Sequence, residues 1–214
     1  MARPRQALLT RERIVDAASA LVDKEGLDSL SMRRLATELG VQGPSLYNHF
    51  GTKAEIVDAV ADAVIEQVDL AVFGTYEWPE ALRRWAKSYR AVLAAHPNVV
   101  PVLAGGPGRR PAALAMAEAV FGALVDAGWP PARATHIGAL MRYLVTGSAL
   151  GSFALGFDID PQLYDQYPHL HRAPLLAARH EAVDEAAFEL GLDLLIKGLS
   201  AQKALFVHEG EISR

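Results

Sequence analysis

The chain has 214 residues, with 21 Lys and Arg against 25 Asp and Glu, no cysteine, and 51% hydrophobic residues. That apolar content can fill a real core and excludes a disordered chain, while the missing cysteines exclude a disulfide scaffold, thiolate metal sites and cysteine catalysis. Residues 1–53 carry eight Lys or Arg against six Asp or Glu whereas the remainder is acidic, which excludes indiscriminate coating of nucleic acid but leaves room for one limited basic face.

The first thirteen residues, MARPRQALLTRER, turn basic before any apolar run develops, so no secretory signal is read there and a cytoplasmic location is expected. Arg3, Arg5, Arg11 and Arg13 face only Glu12 in this stretch; it is either an arm that follows DNA or an ordinary solvated tail. Thr10 is placed to cap a first helix, with Ile14, Ala17, Ala18, Leu21 and Val22 at helical spacing and Gly26 to close it. Ser31 caps a second, which turns Met32, Leu35, Ala36 and Leu39 to one side and Arg33 and Arg34 outward.

The next fifteen residues, LGVQGPSLYNHFGTK, hold a turn, a very short helix and another helix start. Gly40 suits the left-handed position that ends a helix, and Gly43 and Pro44 suit the N-cap and first turn of a new one. Thr52 and Glu55 form a T-x-x-E capping box, so the short helix ends near Phe50. Three helices in about fifty residues can share one small core, with Leu46 and Phe50 supplied by the third, whose outer residues are then left to read DNA. This is the pattern of a helix-turn-helix.

Residues 14–60 resemble the tetracycline-repressor (TetR) family of bacterial transcriptional regulators throughout. The segments WAKSYRAVLAAH and FELGLDLLIKGL carry a weaker similarity into the C-terminal part. The resemblance implies an all-α fold: an N-terminal arm and helix-turn-helix domain over 1–53, and a larger helical-bundle effector-binding and dimerisation domain over 54–214. It places Pro44, Ser45, Tyr47, Asn48 and His49 on the helix that enters the major groove, Lys53 at the next helix start, and Arg33 close to DNA. Ser45 and Asn48 suit base edges, Pro44 a thymine methyl, and Tyr47 and His49 phosphates, although Tyr47 equally suits core cover and His49 a structural role. Gly43 stands where some relatives carry a base-touching side chain.

Beyond the reader, Pro and Gly punctuate a chain without strand alternation. Helices are expected over 53 to about 71, 79–96, 111–127, 131–156 and 184 to about 205, with a turn-rich break over 97–111 and a long connection over 157–183. The apolar stretch 134–157 contains His136 and Arg142 and is rich in Gly and Ala, so it is not read as a membrane span. Gly147 and Gly151 share one helix face, and Ala187, Gly191, Leu194, Leu195 and Gly198 another; both permit close helix approach, within the chain or across a dimer. The resemblance implies the dimer, a four-helix bundle from two helices of each subunit, and a near-palindromic operator read by two heads.

Trp85, Tyr89, His96, Phe121, His136, Tyr143 and Phe153 are the candidate lining of an effector cavity, each with core packing as its alternative. Asp158, Asp160, Asp165, His169, His171 and His180 are read as a solvated acidic loop and no metal or cofactor is expected. No nucleophile–base pairing, phosphate loop or HExxH pattern supports an enzyme. The resemblance implies a repressor released by a small-molecule effector, against an activator or a regulator answering to a protein. Tetracycline is a poor guess: VVPVLAGGPG and TGSALGSFALG lack the metal-binding histidines of the tetracycline repressor, and Trp85 replaces a polar drug-contacting residue. Titration with tetracycline and magnesium should give no tight, magnesium-dependent fluorescence change.

Overall fold

The computed structural model describes residues 9–106 and 108–212, with side chains up to 205; Arg3 and Arg5 lie outside the described residues. The described residues hold helices and turns and no strand: α1 Arg11–Glu25, α2 Met32–Leu39, α3 Gly43–Tyr47, α4 Lys53–Ile65, α5 Trp78–Ala95, α6 Val100–Ala104, α7 Pro111–Asp126, α8 Pro131–Ala149, α9 Ala173–Ala178 and α10 His180–Ile212. No helix among them is long and apolar enough to cross a membrane.

The chain divides into two compact units. One comprises residues up to Val68 together with Ala95–Met116; the other comprises Asp69–Ala94 and the residues from Ala117 onward. The first unit thus runs past residue 53, because α4 packs along α1 and its Ile56, Val60, Ala61 and Val64 are buried.

Local caps set the starts of the first helices. Thr10 accepts from Arg13 N, Ser31 from Arg34 N and Thr52 from Glu55 N, each satisfying a backbone donor with no intrahelical partner. Gly26 (φ 83°) and Gly40 (φ 66°) close α1 and α2. Gln42, not Gly43, is the N-cap of α3, with Gly43 and Pro44 inside its first turn.

Several helices stop or start away from their periodicity-based ends. α4 ends at Ile65 and not near 71, because Asp69 turns the backbone: its carboxylate accepts from Ala71 N at 3.0 Å and its own N–H donates to Ser88 Oγ at 2.9 Å. α8 ends at Ala149 and not at 156. Ser152 instead caps a separate turn over Ala154–Gly156, accepting from Leu155 N at 3.2 Å. The 157–183 connection contains a 3-10 turn (Pro161–Tyr164), α9 and the start of α10. Its acids and histidines serve turns: Asp158 accepts from Asp160 N at 2.8 Å, Asp160 from Gln162 N at 3.0 Å, and His171 Nδ1 meets Pro168 O at 2.9 Å.

In the second unit α5 and α10 run antiparallel along a charge ladder. Arg83 meets Asp193 at 3.1 Å, Lys87 meets Glu189 at 2.7 Å, and Arg90 pairs with Glu185 while lying over the Phe188 ring. Such pairs contribute little individually and set register. The contacts from Lys197 and then Arg83 hold the Asp193 carboxyl below its ordinary range. Its stabilising effect is therefore full at neutral pH and is lost as pH falls through that depressed value.

α7 meets α8 where Gly138 faces Phe121. A Cβ at 138 would be driven into the Phe121 ring, whose Cδ1 would lie only 3.0 Å away. Gly138→Ala should destabilise the protein by about 1–3 kcal/mol in chemical denaturation, the usual range for overpacking, and pairing it with Phe121→Leu should recover part of the loss.

Candidate nucleic-acid interface

α3 has five residues, too few to hold a helix by hydrogen bonding alone. Its direction comes from burial: Leu46 and Phe50 are inside a core that also takes Ile14, Ala18, Leu21, Val22, Leu35 and Ile56. With Leu46 turned inward, Pro44, Tyr47 and Asn48 are left exposed on the other side, at the i, i+3, i+4 spacing of one helix face. Tyr47 is 56% exposed, so it does not serve as core cover in this structure. Ser45 and His49 are half-buried at the edges of that face.

Three further contacts hold the end of α3. The Arg11 guanidinium lies 3.9 Å over the Phe50 ring and donates to the His49 carbonyl. Glu55, reaching back from α4, accepts from Gly51 N at 3.0 Å, one residue before the Thr52 cap, so the capping box closes one residue wider than its usual form. Lys53 at the start of α4 donates through Nζ to Leu27 O at 3.1 Å. This keeps an exposed ammonium beside a helix N-terminus, where phosphate is favoured.

The adjacent arginines of α2 have different tasks. Arg34 bridges Glu25 at 2.9 Å and Glu38 at 2.8 Å, and its hydrogen bond holds the Glu25 carboxyl below its ordinary range. Arg33 is exposed. Periodicity turned both outward, but did not reveal that Arg34 is committed to ion pairs.

The seven candidate cavity residues do not come together. Trp85 and Tyr89 are buried with ring centroids 5.8 Å apart, and Phe73 stands 6.2 Å from Trp85. Phe121 packs at Gly138, and His136 is exposed. His96 belongs to the first unit, where its Nδ1 meets the Asp23 carboxylate at 2.9 Å. Tyr143 and Phe153 are 68% and 71% exposed. They line an open cleft of about 340 Å³ with Leu144, Gly147, Gly151 and Ala187.

The small-residue faces are also mostly open. A Cβ added at Gly191 would come within 3.2 Å of Leu144 Cδ1, so this glycine serves the α8–α10 contact within the chain, whereas Gly147, Gly151 and Gly198 have no atom within reach of an added Cβ. Leu194 is 61% exposed and Ala187 is exposed, while Leu195 is half-buried. Among the described residues no group of three or more His, Asp or Glu is placed to hold a metal ion.

Residues 14–60 match the family model described as "Bacterial regulatory proteins, tetR family", and residues 73–203 match "Tetracyclin repressor-like, C-terminal domain". An "HTH-type transcriptional regulator" of Saccharopolyspora erythraea is 32% identical over 92% of this chain and 87% of its own. "Tetracycline repressor protein class C" of Escherichia coli is 33% identical over 91% and 92%. Among solved structures, ActR of Streptomyces coelicolor in complex with actinorhodin superimposes with a TM-score of 0.72 at 30% identity, covering 92% of this chain and 99% of that one.

The two arginines give a discriminating test. Arg33→Ala should weaken duplex binding and reduce the salt dependence by about one phosphate contact. Arg34→Ala should lower the melting temperature and leave the slope of affinity against salt unchanged.

Proposed function

The chain belongs to the tetR family of bacterial regulatory proteins and is a DNA-binding transcriptional regulator, not an enzyme; from that premise we propose a cytoplasmic repressor that binds a near-palindromic operator as a homodimer and is released by a small-molecule effector. The observation that carries it is the exposed Pro44, Tyr47 and Asn48 face on a helix fixed from behind by Leu46 and Phe50. Asn48 and Ser45 read base edges, Pro44 offers an apolar contact, Tyr47, His49 and Lys53 take phosphates, and Arg33 adds a contact from α2.

Dimerisation uses α8 and α10, through Gly147 and Gly151 on one and Ala187, Leu194, Leu195 and Gly198 on the other, with Gly191 left to the contact between the two helices of one chain. The exposed Leu140, Tyr143, Leu190 and Leu194 on the same two helices support it, since a soluble monomer seldom leaves so continuous an apolar face in water. For the effector, Trp85 offers the best support: its indole Nε1 is buried without a hydrogen-bond partner among the described residues, beside the Tyr89 and Phe73 rings. An acceptor on a planar aromatic effector would satisfy that donor. The neighbours known with tetracycline or actinorhodin in their names make an aromatic compound the first class to screen.

Selection from random duplex DNA should enrich a near-palindrome whose half-sites lie about 34–36 Å apart, one helical turn. Tyr47→Ala and Lys53→Ala should weaken binding to all sequences, while Asn48→Ala should also change the preferred base. Leu194→Glu should give a helical monomer in sedimentation and lose the palindrome. A folded dimer that enriches nothing at low salt would refute the reading.

A further inference from the structure

α3 is closed differently from the two helices before it. α1 and α2 each end on a glycine in the left-handed region, Gly26 and Gly40, where the turn itself satisfies backbone groups at the helix end. At the end of α3 stands Asn48, in ordinary helical conformation (φ −70°, ψ −19°), and Gly51 does not take a positive φ. The turn runs on instead: His49 N donates to Leu46 O at 2.9 Å and Phe50 N to the same carbonyl at 3.0 Å. A five-residue helix that ends this way leaves its last carbonyls to donors that come from elsewhere.

One such donor is Arg11, 38 positions back. Its guanidinium donates to the His49 carbonyl and lies 3.9 Å over the Phe50 ring, so one planar group meets two consecutive residues of this turn. A guanidinium can stack by its face and donate from its edge at once, which an ammonium cannot. The backbone that carries it is fixed. Arg11 opens α1, where Thr10 accepts from Arg13 N at 3.2 Å and Ile14 N donates to Thr10 O at 3.1 Å, and Ile14, Ala18 and Phe50 are buried. The other two ties near the end of α3 act later in the chain, Glu55 on Gly51 N and Lys53 on Leu27 O. Of the three, Arg11 is the one that reaches the turn holding Asn48 and His49.

Building on the operator-binding reading, we propose that Arg11 is a positioning residue for base discrimination: as the closing group of α3 it fixes the turn that carries Tyr47, Asn48 and His49, and so decides how sharply the sequence is read more than how tightly the duplex is held. Phosphate contacts tolerate a small displacement, because charges attract across a Debye length. Hydrogen bonds to base edges do not, since they weaken steeply with distance and misalignment. A reading turn freed at its end therefore keeps most of its electrostatic grip and loses its preference among bases. Engaged with Phe50 and the His49 carbonyl, the guanidinium acts within the protein and is not one of the cations that neutralise phosphate.

The test uses the full-length protein and the duplex enriched by selection with the parent. Arg11→Ala should reduce the ratio of affinities between that duplex and its single-pair variants about tenfold at the most discriminated pair, the scale of one good base contact. The slope of affinity against salt should stay that of the parent. Partial unfolding would weaken all duplexes alike and leave the ratio unmoved. Arg11→Gln keeps an amide donor for the His49 carbonyl without the charge, and should recover part of the ratio. A slope lowered by about one makes Arg11 a phosphate contact. That result, an unchanged ratio, or Arg11→Gln no better than Arg11→Ala overturns the proposal while leaving the regulator reading intact; failure of the parent to enrich any duplex removes both. Without DNA, the His49 and Phe50 amides should exchange about tenfold faster in Arg11→Ala, with that of Leu35 in α2 unchanged. Faster exchange spread evenly over α1 to α4, or no change, overturns the proposal as well.

Discussion

The reader depends on burying Leu46 and Phe50. α3 contributes five residues and α2 eight, and helices so short do not persist in water on their own hydrogen bonds. What fixes them is a core that draws Ile14, Ala18, Leu21 and Val22 from α1, Leu35 from α2 and Ile56 and Val60 from α4. The helix that carries the exposed Pro44, Tyr47 and Asn48 is therefore aimed by the two apolar residues on its opposite side. Each full burial of that kind is worth about 1.5–3 kcal/mol. Arg11 extends this logic outward, covering the Phe50 ring with its guanidinium.

A different balance holds in the second unit. α8 and α10 pack on each other, and Met141, Val145, Phe188, Leu192 and Ile196 on these two helices are buried. The same helices leave Leu140, Tyr143, Leu190 and Leu194 in water. One face of each helix is thus satisfied within the chain and another is not. The glycines follow this split: Gly191 is used by Leu144, and Gly147, Gly151 and Gly198 are open. The cleft bordered by Tyr143, Phe153 and Ala187 lies beside the open Gly147 and Gly151.

Features decided by neighbours in the chain were legible from sequence. Thr10, Ser31, Thr52, Gly26 and Gly40 act within one turn of themselves, and the structure uses all five as caps or closures. Helix ends decided by side chains from elsewhere were not legible. Ser88, nineteen residues on, takes the Asp69 N–H as the chain leaves α4. Nor was the role of His96, whose place among amphipathic residues suggested a cavity while its ring is occupied by Asp23, 73 positions away. Among the cavity candidates, Trp85 pairs with Tyr89 in the core while Tyr143 and Phe153 border one open cleft. Periodicity assigns a residue to a face, but it does not say whether that face meets core, partner or ligand.

Charge explains why release can be effective. The chain is acidic overall, and the excess of basic residues in 1–53 is two. A single head has few cations with which to displace counterions, so its grip on one half-site is modest and its own salt dependence shallow. Tight binding then comes from joining two modest contacts, where the second is intramolecular and disappears once the geometry forbids simultaneous engagement. An effector need not oppose the full affinity of the dimer for its operator. It need only favour a state in which the heads miss the spacing, and its differential affinity for that state sets how far the population moves.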